Sequence, residues 1–400
     1  AIGLLVLRGR GRARAVLAAL GVGLALVVGF ARARGAIARS EIARQRTLED
    51  PERAGAVGPA RCQVEGQVSR SPSLSAGALR VQLAGAEVRC RDGPPLPTLG
   101  VVLHVPPDLL VTRGVREVAR GDVVRGTASL APPYPFWNDG VRDPRPLLAR
   151  RGVVLSGGAD DLVVARRGSG IDSAIDRARA RLRERILLTF PEQTAAMARA
   201  LVLGEDDLEA DDQRAFRESG LAHLLAVSGM HLILVVMGAV SGLRALLVRV
   251  PALAGRLDVA RVASAACVPL AWLYAELAGG SGSALRAAWM TSAALLARAL
   301  ARRPNAPRAL ALSILGMCAV DPLAAFDVSF TLSACATAGL LGLSGPIDEA
   351  LAARVRFVPD APRRVLAGTA AATLACAPVL ATMTPELPLG GVLANVLAVP

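Results

Sequence analysis

The chain has 400 residues, 53% of them hydrophobic, with 20% charged and a formal net charge of +13. A mean hydropathy of +0.44 excludes an ordinary soluble enzyme and points to a polytopic membrane protein, with enough charge for a sizeable part outside the bilayer. All 46 basic residues are Arg, and an excess of positive charge suits an acidic membrane surface or a nucleic-acid backbone.

Arg8, Arg10, Arg12 and Arg14 precede the apolar run Ala15–Ala31. A basic flank before a spanning helix marks the cytoplasmic side, although Arg32, Arg34 and Arg39 follow on the other side. Residues 1–34 are therefore read as an N-terminal membrane segment, with no cleavable signal evident in it and Ala1–Leu7 resembling the tail of a preceding apolar helix, and 35–59 as a polar linker.

Residues 60–166 change character. Short β-type stretches follow one another at Cys62–Val68, Leu79–Leu83, Glu87–Cys90, Val101–Val105, Val123–Leu130, Val153–Leu155 and Leu162–Ala165. Turn signals such as Arg120-Gly121-Asp122 separate them, which predicts a small all-β barrel or sandwich. Cys62 and Cys90 flank part of this region and could form a disulfide if it faces an oxidising compartment. Tyr134, Phe136 and Trp137 gather aromatics in a Pro-rich stretch. Such side chains can stack bases, or a Pro-rich loop can pack on the barrel or rest at the lipid interface.

Residues 167–219 read as amphipathic helices. In Ile171–Thr189 the apolar positions recur at helical spacing, while Arg177, Arg179, Arg181, Arg183 and Arg185 fall on other faces. Arg181 and Arg185 are candidate contacts for a polyanion. A solvated charged face or a helix lying on a membrane surface are the plainer readings. Thr194–Gly204 and Asp206–Ser219 follow as shorter helices.

Residues 220–243 carry no acid, Arg or Pro and are long enough to span, since a crossing helix needs roughly 20 apolar residues. Yet His223, Ser228 and His231 lie in the first half, and the chain has three His in all. Ser228 and His231 are one turn apart on one side. Three readings compete: helix packing through small and polar residues, the lining of a water-filled path, and a nucleophilic Ser228. The last needs a His base on a later helix, and no His follows His231.

Further apolar runs come at Val262–Ala278, Ala284–Ala297, Ala309–Val320, Phe326–Leu343, Val365–Thr382 and Leu389–Pro400. Arg-rich connections at 244–261, 298–308 and 344–364 alternate with Arg-free ones. By the positive-inside rule the Arg-rich set is cytoplasmic, which leaves residues 35–219 extracytoplasmic. Arg286 sits just inside a short apolar segment, a costly place unless it snorkels or faces an aqueous cavity. The scattered His, with no acid at ligand spacing, predict no metal site.

The run Phe216–His231 resembles the signature of ComEC-type competence proteins. Gly282–Met290, Asp321-Pro322-Leu323 with Ser329–Ser333, and Asn395–Pro400 are similar to further stretches of that family, in the same order. The soluble part resembles the family's outer domain of the oligonucleotide-binding (OB) fold. The resemblance implies an inner-membrane, multipass channel component that carries one strand of incoming DNA into the cytoplasm during natural transformation. It implies as partners single-stranded DNA, the bilayer, other proteins of the competence machinery and further copies of the chain. Many members add a metallo-β-lactamase-like domain, whose His/Asp cluster three scattered His cannot supply. The expectation is no enzyme activity, no cofactor and a chain truncated after residue 400.

The fold expected is thus mixed: a polytopic α-helical membrane domain, 220–400, with an inserted OB-like barrel. His223, Ser228, His231 and Arg286 are candidates for a DNA path. Tyr134, Phe136, Trp137, Arg181 and Arg185 are candidates for outer DNA contacts. A transporter of another substrate and an intramembrane serine hydrolase are the alternatives.

Overall fold

The computed structural model describes residues 28, 31–32, 34–35, 37–38, 60–75, 77–90, 95–97, 100–112, 117–131, 151–205, 207–219, 221, 229–354 and 359–381. The chain divides into two compact units. One comprises Ala38–Val227 with Glu276–Gly280. The other comprises Ala1–Ile37, Ser228–Ala275 and Ser281–Pro400.

Seven strands form the sheet of the first unit: β1 (Ala60–Val68), β2 (Ser73–Ser75), β3 (Ala78–Cys90), β4 (Leu96–Pro97), β5 (Gly100–Val105), β6 (Val123–Ala131) and β7 (Leu155–Arg166). β1 shows why these segments become strands. Cys62, Val64 and Val68 point inward and alternate with outward Arg61, Gln63, Glu65 and Gln67, the period of a half-buried strand. The order β1-β3-β5-β7-β6 returns to β1, so five strands close a barrel. All these pairings are antiparallel except β5–β7, which is parallel.

Closure depends on a bend in β3. Its first half pairs with β5 and its second half with β1. Between them the inward set shifts from Leu79, Val81 and Leu83 to Ala86 and Val88. Gly85 at the bend has φ 57°, a conformation that favours glycine, and the β1–β3 register slips there. The stretches Leu79–Leu83 and Glu87–Cys90, expected as two strands, are therefore one. Leu162–Ala165 and the last residue of Val153–Leu155 likewise fall on one strand, β7, whose pairing with β6 carries two register shifts, while Val153 and Val154 precede it. Leu79, Leu83, Val88, Leu103, Val124 and Leu162 meet in the barrel core. Cys62 and Cys90 stand opposite each other across β1–β3 and are joined by a disulfide of 2.01 Å.

A short α1 (Pro107–Thr112) follows β5. Three helices come after the barrel: α2 (Ile171–Thr189), α3 (Glu192–Leu203) and α4 (Ala210–Glu218). The chain leaves α3 through Gly204 in the left-handed region, φ 66°, a common helix terminator.

The second unit is helical: α5 (Gly229–Val248), α6 (Pro251–Ala254), α7 (Val259–Ala266), α8 (Val268–Leu277, whose last two residues belong to the first unit), α9 (Gly282–Ala299), α10 (Ala306–Val320), α11 (Val328–Arg354) and α12 (Asp360–Leu380). Side chains cap several of the starts. Asp258 accepts from Ala260 and Arg261, Ser281 from Ala284, and Asn305 from Arg308. Ala263, Ala271, Ala284, Ala287 and Ala288 line the contact with Leu232 and Val236 of α5, so small residues bring the helices close. Gly339 of α11 does the same against α12, where an added Cβ would lie 2.5 Å from the Ala371 carbonyl oxygen.

Among the described residues two helices, α5 and α11, are long and apolar enough to cross a membrane. Most of their surface is not buried within the protein. The run Val262–Ala278, expected as one span, is instead two helices of 8 and 10 residues. Pro269 has no N–H to continue the ladder, and the break falls at Cys267. The expected loop at 344–364 is also partly helix, since α11 continues to Arg354 and α12 starts at Asp360.

Candidate functional site

Two groups of polar side chains stand out, one in each unit. In the first unit, the Arg120-Gly121-Asp122 turn before β6 is fixed by buried ions. Asp122 is 0% exposed. It accepts the N–H of Ala119 at 3.0 Å and of Gly168 at 2.6 Å, with the Arg177 guanidinium 3.5 Å away. Asp176 accepts both the backbone N–H and the Nε of Arg120, at 2.8 and 3.0 Å. Arg120 also reaches Glu276 at 2.9 Å. Burial by itself would lower the Arg120 pKa, but its hydrogen bond to Asp176 and the charges of Asp176 and Glu276 outweigh it and raise the value.

On the next turns of α2, Arg179 and Arg183 meet Glu205. Arg183 Nε lies 3.0 Å from both carboxylate oxygens, and Arg179 Nη2 lies 3.6 Å from one. Arg179 is 2% exposed and also donates to the carbonyl oxygens of Glu276 and Leu277. Its pKa is pushed down by burial, which the nearby carboxylates only partly counter. Arg199 is bound to Asp207 in the same manner.

The Arg-rich helix is therefore not one cationic face. Arg177, Arg179 and Arg183 are held by carboxylates, whereas Arg181 and Arg185 are exposed. Tyr134, Phe136 and Trp137 lie outside the described residues. A basic pair that the sequence did not single out lies on the barrel wall. Arg80 of β3 stands opposite His104 of β5, both on the outer face. Burial, then the charge of Arg80, holds the His104 pKa below its ordinary value. Only the strand register reveals this pair, since 24 positions separate its members.

In the second unit, His223 and Ser228 lie outside the described residues. His231 is half-buried in the first turn of α5. Near it, Gly229 approaches α9 closely enough that a Cβ would lie 3.0 Å from that of Ala287, the neighbour of Arg286. Arg286 is 7% exposed. Its Nε and Nη2 both donate to Ser333 Oγ of α11, at 2.9 and 2.7 Å, and its Nη1 lies 2.8 Å from Met290 Sδ. Ser333 was not among the expected site residues, although it lies in a stretch noted for its motif. Chemically, the arrangement is a cation with hydrogen-bonding partners and, among the described residues, no ion pair to a carboxylate. Among the described residues, no group of three or more His, Cys, Asp or Glu could hold a metal ion.

No curated protein and no solved structure matches the chain. The family model described as Competence protein matches residues 201–400, which is half of the chain and includes α5, α9 and α11. The chain with this buried Arg286 in its helical unit therefore belongs to the Competence protein family.

Proposed function

We propose that the protein is a multipass component of a bacterial inner membrane that passes single-stranded DNA into the cytoplasm during competence. The family match over residues 201–400 carries this reading. Three features support it. The five-stranded ring has the strand number of an OB barrel, a fold that binds oligonucleotides across its second and third strands. Those strands here are β3 and β5, which carry Arg80 and His104. The helices α5 and α11 turn most of their apolar surface outward, as lipid-facing helices do. Arg286 offers a phosphate a cation that no carboxylate among the described residues has taken.

In this reading residues 35–219 are extracytoplasmic. The barrel, with Arg181, Arg185 and the aromatics Tyr134, Phe136 and Trp137, collects the strand. His223, Ser228, His231 and Arg286 line its path through the bilayer. The protein itself is no enzyme and uses no metal or cofactor. It works with other competence proteins and with further copies of itself.

The test is uptake of labelled DNA into nuclease-protected form, in a transformable host whose own channel has been deleted. The full-length protein restores protected label, and His231→Ala lowers it at least tenfold at equal protein level. Failure of the unmodified protein to restore uptake sinks the function. Unchanged uptake by His231→Ala sinks the lining role of that residue.

A further inference from the structure

We propose that Arg286 and Ser333 form a binding site for one phosphodiester monoanion. The starting observation is a contrast within the chain. The buried guanidinium groups of Arg179, Arg183 and Arg199 each face a carboxylate, Glu205 or Asp207. Arg286 is equally enclosed, yet among the described residues its partners are a hydroxyl and a thioether, and it forms no ion pair there. Its hydrogen-bonding needs are met by neutral groups, while its charge is not. An uncompensated buried charge is strongly unfavourable, which is why such groups are paired or bind an ion.

The geometry specifies the class of anion. Nε and Nη2 form the edge of the guanidinium that binds two oxygens of a carboxylate or phosphate side by side. Here both donate to one oxygen, Ser333 Oγ. With its acceptor side facing Arg286, the Ser333 hydroxyl has its own proton left to donate elsewhere. An incoming oxyanion can take that O–H together with the remaining N–H groups of Nη1 and Nη2.

Hydroxyls continue the polar seam. Ser329, one turn before Ser333 on α11, accepts the Ser283 N–H of α9 at 3.3 Å, and Ser283 Oγ lies 3.1 Å from Ser281 Oγ. Asp327, two residues before Ser329, uses its carboxylate to cap α11 by accepting the Phe330 N–H at 3.0 Å. One cation flanked by neutral hydroxyls holds a singly charged group without a second cation to retain it. Its two unesterified oxygens match the Ser333 O–H and a remaining guanidinium N–H. The site rests on the DNA-uptake reading only for the source of the phosphodiester, which a lipid headgroup could also supply.

The experiment uses the full chain in maltoside micelles, which contain no phosphate. Thermal unfolding is followed with sodium dimethyl phosphate against sodium chloride at equal ionic strength. Dimethyl phosphate is expected to raise the melting temperature of the unmodified protein. Arg286→Met should melt no lower than the unmodified protein without ligand, because it removes an unpaired charge, and should show no phosphodiester response. Ser333→Ala should weaken the apparent affinity at least threefold, and Arg286→Lys should keep a weakened response.

If Arg286→Met melts well below the unmodified protein, or responds to dimethyl phosphate as it does, the site is refuted. Oligothymidylate and phosphatidylglycerol are added in separate arms. An Arg286-dependent response to oligothymidylate supports both the site and its place on the DNA path. A response to phosphatidylglycerol without one to oligothymidylate supports the phosphodiester site and overturns its DNA source.

Discussion

Replacing Asp122 with Asn tests whether buried ions hold the barrel to the helix that follows it. The carboxylate accepts two backbone N–H groups, from Ala119 and Gly168, and stands 3.5 Å from Arg177. Asn has one acceptor oxygen, so one of the two N–H groups is left facing an NH2. Orphaning a buried donor costs about 1–3 kcal/mol. Losing the negative charge beside the partly buried Arg177 adds on the order of 1 kcal/mol, discounted because Arg177 is partly open to water and also donates to the Gly168 carbonyl oxygen at 2.8 Å. A total of about 3 kcal/mol corresponds to a roughly 100-fold larger opening equilibrium.

Hydrogen exchange of the full chain reads this directly. Peptides covering 117–131 and 155–168 should exchange about 100-fold faster in Asp122→Asn, while those of α12 should not change. Adding Arg177→Met should recover part of the loss, because the stranded cation is removed. A change below about threefold in the barrel peptides would refute the reasoning, since it would mean that these contacts contribute little to holding the turn.

Gly126→Ala should disrupt the β6–β7 pairing, because the new Cβ would lie 2.1 Å from the Asp161 carbonyl oxygen. Loss of the protease-resistant barrel is the expected result, and an unchanged resistance would contradict it. His104 makes the barrel pH-sensitive. Its folded pKa lies below the ordinary 6.5, so the unfolded chain binds the proton more readily. Stability should then fall as pH drops through 6.5 and level off below the folded pKa. The effect is small, because the ring is only partly shielded from water by the barrel wall, and His104→Gln should remove it. Equal acid slopes for the two proteins in melting curves between pH 7.5 and 5.5 would refute the assignment.

The alternation in Cys62–Val68 and the helical spacing of Ile171–Thr189 were legible because each is a local pattern, with inward and outward positions fixed by the period of the element. The motif stretches from Phe216 to Ser333 were likewise legible as residue order and gave the family. The sequence by itself thus determined the barrel region, the apolar helices and the kinship. What it could not determine depends on contacts between distant positions. One β3 strand rather than two follows from Gly85, whose left-handed backbone lets a strand bend without ending. The fate of the five Arg on α2 was decided by Asp122 and Glu205, because charge spacing along a helix does not reveal which cations will meet a carboxylate. The same reason governs Arg286. Its position on an apolar helix was evident from the sequence, but only tertiary structure placed Ser333, 47 residues away, against its donor edge, with no acid among the described residues paired to its charge.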